Sequence, residues 1–227
     1  NAKIDIRLVD YVFAFIDIDE NNFDVCKLIE LLPKEAACNQ NLKLYKSRNS
    51  IKCLKSVICT EQAVLMPEIR KELVKSYIID QIVRGQKQER ILRKYEHLDI
   101  SVSPLELGAY SDEDNTSSLE KIIDSIGFPN KQYVGEEGMN AVFIITQHSD
   151  LIFQNKMLPF FKKAAENGQI PKSHYALLLD RIEAFEGREQ IYGSQFYPDS
   201  DGKLKPYSIK DSILVDVRRY EVGLLPF

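Results

Sequence analysis

Apolar residues in this chain recur three and four positions apart, between residues that start and stop helices. After Pro67, a good first-turn residue, Ile69, Leu73, Tyr77, Ile78 and Ile82 form one stripe. The pattern predicts a helix to about Tyr95, with Gly85 marking a break or a close approach. Ser117 and Glu120 read as a capping box for a helix that buries Leu119, Ile122, Ile123 and Ile126 and ends at Gly127 and Pro129. Met139–His148 reads as a buried helix. Another runs from about Leu151 to Asn167, closed by Gly168, with Pro159 kinking it or delaying its start. Ser173 opens a helix with Tyr175, Leu178, Leu179, Ile182 and Phe185 inward, ended by Gly187. Strand character is confined to Gln190–Tyr197 and Lys203–Ile209, which flank the turn Pro198-Asp199-Ser200-Asp201-Gly202. The expected fold is therefore mainly α, in α+β form: a helical domain with a C-terminal β-hairpin, and no large sheet.

The first 66 residues read as a separate small helical segment, repeat-like, before a domain spanning 67–227. Asn21 or Asn22 caps Val25, Leu28, Ile29 and Leu32 up to Pro33, and Leu42–Tyr45 and Cys53–Cys59 suggest further short helices. With 227 residues, 44% of them hydrophobic and 28% charged, the chain can bury a core without a metal or disulfide staple. Cys26, Cys38, Cys53 and Cys59 include no C-x-x-C pair and have no histidine among them, so buried thiols are preferred over zinc. Their disulfide status stays open. Residues 34–94 carry net +8 and residues 95–150 net −9, which reads as two solvated surfaces offsetting one another within an overall −4. With no aromatic interleaving of a base-stacking kind in the basic block, nucleic acid is not an expected partner. The longest apolar runs, Tyr11–Ile16 and Ala141–Ile145, fall far below the ~20 residues of a membrane span. No basic-then-apolar leader opens the sequence, and Asn1 stands first, so a cytoplasmic protein and an exported one with its leader removed are both compatible.

Cofactor motifs are missing: there is no P-loop and no G-x-G-x-x-G, and no cofactor is expected. Asp17, Asp19 and Asn21 imitate a calcium loop that then fails at Asn22 and Leu28. No H-x-x-x-H or H-E-x-x-H occurs, so no metal is assigned. What remains is polar residues inside apolar helices. Tyr77, Gln81 and Arg84 share a face, with Asp80 beside them. Gln147, His148, Ser149 and Asp150 follow the run Ala141–Ile145, and Gln154 lies seven residues after Gln147. Asp180 and Arg181 interrupt an apolar helix, and Gln190, Tyr192, Gly193, Ser194 and Gln195 open the hairpin. Burying such groups costs free energy unless each finds a partner. His148 is the natural general acid/base, because only histidine has an unperturbed pKa near neutrality. Asp150 or Asp180 is its expected carboxylate. Ser149 and Ser194 are weak candidates for a nucleophile, without a G-x-S-x-G elbow.

These motifs come in one order: Asp80-Gln81-x-x-Arg84, Asp112-x-x-Asn115, Gly127-Phe128-Pro129, Val134-Gly135, Phe143 to Asp150, Gln154, Leu158-Pro159, Asp180-Arg181, and Gln190 to Gln195. In that order the sequence resembles the bacterial domain-of-unknown-function family numbered 6624, over about residues 70–227. The resemblance implies that Gln81, Arg84, Gln147, His148, Asp150, Gln154, Asp180, Arg181, Gln190, Tyr192 and Gln195 belong to a shared pattern, and it implies no activity. The family often has Ala at Ser149 and Thr at Ser194, which demotes Ser149 as a nucleophile and leaves the cysteines outside the pattern.

Two readings follow. One is an enzyme, a hydrolase or lyase acting on a small polar ligand. His148, Asp150 and Asp180 are its catalytic candidates. Gln81, Arg84, Gln147, Gln154, Arg181, Gln190, Tyr192 and Gln195 line its site, with an arginine as anion clamp. The other is a non-catalytic module binding a protein partner, its polar cluster serving as a structural network. Both require Gln147–Gln154, Asp180-Arg181 and Gln190–Gln195 to converge, with Arg181 on a carboxylate or carbonyl and Tyr192 approaching His148.

Overall fold

The computed structural model describes residues 64–227. The cysteines, the calcium-like Asp17–Asn21 segment and the helices expected within 22–33, 42–45 and 53–59 lie outside the described residues. Among those described, eight α-helices and one two-stranded antiparallel sheet are present: α1 (Pro67–Val83), α2 (Gln88–Lys94), α3 (Pro104–Gly108), α4 (Asp112–Ile126), α5 (Lys131–His148), α6 (Leu151–Glu166), α7 (Lys172–Phe185), β1 (Phe196–Pro198), β2 (Leu204–Pro206) and α8 (Val215–Val222). The mainly helical reading and its C-terminal hairpin are borne out. No described helix is long and apolar enough to cross a membrane.

Several boundaries differ from expectation: α5 begins at Lys131 rather than Met139, and α7 begins at Lys172 with no side-chain cap from Ser173. The helix after Pro67 ends at Val83, and α2 is a separate element. Gly85, at φ +99°, reverses the chain: its N–H donates to Ile82 O (3.0 Å), and that of Gln86 to Gln81 O (2.9 Å). This pair of bonds satisfies the carbonyls that a helix end leaves open. The next helix begins at Asp112 rather than at Ser117. Ser111 is its cap, accepting from Asp114 N at 3.0 Å, and Asp112, Glu113 and Asp114 place negative charge against the positive helix end.

Helix α5, broken at Gly135, is the central element. Val142, Ala141, Met139 and Ile145 are buried on it against Leu73 of α1, Leu119 and Ile122 of α4, Met157 and Phe161 of α6, and Leu178 and Ile182 of α7. Burying each large side chain is worth about 1.5–3 kcal/mol, so few helix arrangements compete with this one. A second cluster, Val74, Ile78, Ile91, Tyr95 and Val102, fixes α2 and the following loop on α1.

The hairpin pairs Phe196 with Pro206, Tyr197 with Lys205 and Pro198 with Leu204. Its strands are shorter than the sequence suggests because Pro198 and Pro206 lack the N–H that a ladder needs. The turn is held by Asp199, whose Oδ1 accepts from Asp201 N (3.0 Å) and Lys203 N (2.9 Å).

His174 on α7 lies flat on Phe143, ring centroids 4.0 Å apart, and its Nδ1 is buried without a partner. Burial, aided by the charge of Lys131, pushes its pKa down to about 4. An unfolded histidine titrates near 6.5, so between about pH 6.5 and 4 the unfolded chain binds a proton that the folded chain refuses. Stability contributed by neutral His174 is therefore present above that window and lost as pH falls through it. In urea unfolding, lowering the pH from 7 to 4.5 should cost the wild type about 2 kcal/mol more than His174→Phe. Equal losses in the two proteins would refute this account.

Candidate functional site

Asp80 is the focus of the polar groups. It faces inward from α1, 1% exposed. Its Oδ1 accepts from Tyr110 Oη (2.6 Å), His148 Nδ1 (2.7 Å) and Arg84 Nε (3.0 Å), and its Oδ2 accepts from Gln81 Nε2 (2.8 Å). Burial opposes ionisation of this carboxyl, but hydrogen bonds from His148, Tyr110 and Gln81 outweigh burial and hold it below the usual carboxylate range. Arg84, four residues on, also donates from Nη2 to Asp112 Oδ1 at 2.5 Å, tying α1 to the start of α4. Tyr110 Oη stands 2.5 Å from the same Asp112 oxygen. Burial and the two carboxylates drive the tyrosine pKa far up, so the phenol keeps its proton. One hydroxyl hydrogen serves one carboxylate at a time, and Arg84, bonded to both, makes the other close oxygen–oxygen approach tolerable.

The tautomer of His148 follows from this geometry. Arg84 Nε lies 3.0 Å from His148 Nδ1, which would suit an unprotonated Nδ1. An unprotonated Nδ1 would, however, set its lone pair against an ionised carboxylate at 2.7 Å. Attraction to Asp80 decides the matter: Nδ1–H donates to Oδ1, and Arg84 Nε shares that oxygen. The lone pair of the neutral ring is then on Nε2. No hydrogen bond engages Nε2 among the described residues, and the side chain is 21% exposed.

Beside the dyad on the last turn of α5 is Gln147, whose Oε1 accepts from Arg181 Nε of α7 at 2.8 Å. Burial, then the nearby charge of Arg84, lowers the pKa of Arg181 without threatening its protonation. Gln154 Nε2 donates to Gln147 O (3.2 Å) and Ser149 O (2.8 Å), closing the end of α5.

The other predicted residues hold backbone. Asp150 caps α6, accepting from Phe153 N at 2.7 Å. Asp180 is fully buried and accepts from the N–H groups of Ile191 (2.7 Å), Tyr192 (3.0 Å) and Ser194 (2.9 Å). Gln190 Nε2 donates to Tyr207 O (2.9 Å) and Gln195 O (3.1 Å), and its Oε1 accepts from Gln195 N (2.8 Å). Arg218 and Arg219 reach the carbonyls of Ile191 and Tyr192, each at 2.7 Å. At Gly193 φ is +67°, and an added Cβ would lie 2.9 Å from Ile209 and Phe227 side-chain atoms. The Asp180-Arg181 pair thus touches both other segments, Arg181 at the Gln147 amide carbonyl and Asp180 at the backbone of residues 191–194. The hydrogen bonds of Tyr192 run to Asp180 and Arg219 rather than to His148. Ser149 Oγ is spent, donating to Ile145 O (2.7 Å) and accepting from Thr116 Oγ1 (2.9 Å). Ser194 Oγ accepts from Gln195 Nε2 at 3.1 Å.

Sequence reasoning assigned His148 to Asp150 or Asp180, and the structure places Asp80 there. Asp80 carried a usable signal: a carboxylate four residues before Arg84 inside an apolar stripe. Asp112 stands in the ordered motif Asp112-x-x-Asn115 but has no role in the sequence reading, and Tyr110, in a loop, carries no signal. One ligand atom each from Asp80, Asp112 and His148 lie within 4.8 Å of one another, the spacing of a metal site. The fit is poor, because Arg84 already bridges both carboxylates and would have to leave. The arrangement suits proton transfer at Nε2.

Asp180→Ala should strand three buried N–H donors and lower stability by roughly 3 kcal/mol or more in urea unfolding. Asp180→Asn should cost less, since it keeps one acceptor oxygen. Wild-type stability in the alanine variant would show that the loop does not depend on this carboxylate.

No curated protein and no solved structure matches the chain. A family of unknown function, DUF6624, matches residues 67–227, which include every residue of the site. From Asp80 through Gln195 the polar cluster lies inside that match, and the chain belongs to the DUF6624 family.

Proposed function

We propose that this protein is a hydrolase or lyase in which His148 is the general acid/base and Asp80 its orienting carboxylate. One observation carries the reading. A buried carboxylate accepts a hydrogen bond from Nδ1–H of a half-buried histidine at 2.7 Å, while no hydrogen bond engages Nε2 among the described residues. In that state Nε2 can remove a proton from a water or from an acidic C–H of the substrate. The imidazolium so formed is stabilised by Asp80, and it returns the proton to the leaving group. Tyr110, Gln81 and Arg84 keep Asp80 ionised and in place, so they position the dyad rather than react.

The test has two parts. In 15N NMR of the full chain, neutral His148 should show a protonated Nδ1 and a pyridine-type Nε2; the opposite tautomer would sink the dyad. Against a panel of esters, amides, phosphoesters and β-elimination substrates, turnover should fall about 10²–10⁴-fold in His148→Asn. Asp80→Asn, which can hold the ring but not the positive charge, should also lose turnover; because it also leaves Arg84 without its buried partner, turnover is compared below the lowered melting temperature of the variant. Turnover indifferent to His148, or none on any substrate, would leave the cluster a structural network in a binding protein.

A further inference from the structure

Beside the dyad, one charged group and one buried donor have unfilled hydrogen-bonding capacity. Gln147 is 9% exposed, and its Nε2 is buried with no partner. The orientation of this amide is not arbitrary: turning it over would point its NH2 at the N–H of Arg181, which now donates to Oε1 at 2.8 Å. Nε2 is therefore a donor, fixed in direction, on the same planar group that the guanidinium grips. Arg181 is itself unbalanced. It has no carboxylate within ion-pair distance among the described residues, and Phe185 covers one face of it at 5.3 Å. Its sequence neighbour Asp180 cannot serve, since both oxygens accept backbone N–H groups of residues 191–194. Arg84 is spent on Asp80 and Asp112. A part-buried guanidinium without a counter-ion, next to a buried N–H without an acceptor, calls for an oxygen anion.

Resting on the dyad reading above, we infer that the substrate carries an oxyanion group, a carboxylate or a phosphate, that binds to Gln147 Nε2–H and the free edge of Arg181. Arg181 commits Nε to Gln147, so its terminal N–H groups are the ones left for the anion. One anionic oxygen can bridge such an N–H and Gln147 Nε2, while a second oxygen stays towards solvent. A neutral carbonyl would fill the same acceptor position but leave the guanidinium uncompensated. Arg84, which donates to the same Asp80 oxygen as His148, is close enough for its charge to act on Arg181, so an anion held by Arg181 and Gln147 lies beside the network that carries the dyad. Arg181 and Gln147 then determine specificity, and the chemistry stays with His148.

The experiment follows the Gln147 side-chain amide and Arg181 Nε–H by 15N NMR in the full chain. Inorganic phosphate and acetate are added in separate arms at constant ionic strength set with chloride. A saturable shift of both signals in either arm is the expected result, and the arm that saturates more tightly names the substrate's anionic group. Gln147→Glu keeps an acceptor for Arg181, so the fold is preserved, but it removes the donor and places a negative charge in the anion's position. That variant should weaken binding about tenfold or more. Arg181→Gln should do the same. No saturable shift in either arm, or unchanged affinity in Gln147→Glu, overturns the inference. His148→Asn separates the two readings: anion binding retained with turnover lost supports both. Turnover retained sinks the dyad while the titration still judges the anion site.

Discussion

A single buried carboxylate organises this domain. Asp80 sits within the apolar face of α1, where an ionised group without partners would be strongly destabilising, and it is ionised because four side chains donate to it. Those donors come from α1 itself, from the loop before α4 and from the end of α5. Satisfying the charge therefore fixes how three parts of the chain meet. The hydrophobic core brings α1 and α5 into contact, but apolar packing alone tolerates small slides and rotations. Hydrogen bonds of 2.6–3.0 Å to one carboxylate do not.

A second buried carboxylate, Asp180, works differently. Its partners are backbone N–H groups, so it shapes a loop rather than linking side chains. Together with Gln190, Arg218 and Arg219 it pins residues 190–195 onto α7, with a single parallel bridge from Gln190 to Ile209 in place of a regular strand. Arg181, the next residue along α7, points to a different neighbour and meets Gln147. One helix thus anchors the loop with one side chain and supplies a cation to the site with the next. Polar groups that look alike in sequence divide here into those consumed by the scaffold and those with capacity left over. His148 Nε2, Gln147 Nε2 and the terminal N–H groups of Arg181 are in the second group, and Arg181 meets Gln147 because α5 and α7 pack against a common core.

The sequence by itself determined the local architecture and the inventory of unusual residues. Helical spacing, the stops at Gly85, Gly127 and Gly187, and the Pro198–Gly202 turn depend on neighbours a few residues away, so they are legible in one dimension. So is the oddity of charges inside the apolar stretches around Asp80, His148 and Asp180. Boundaries were less secure, because Ser111 and Ser117 both carry helix-capping chemistry and only packing selects between them. What the tertiary structure alone decided is the pairing of charges. Asp150 is two residues from His148 but is spent on capping α6, whereas Asp80, 68 positions away, accepts the hydrogen bond from the imidazole Nδ1–H. Sequence proximity favours Asp150, but the direction of a side chain at a helix end is set by the N–H groups of the next helix. The crossing of α1 on α5 then brings Asp80 to Nδ1, and no periodicity within either helix encodes that crossing.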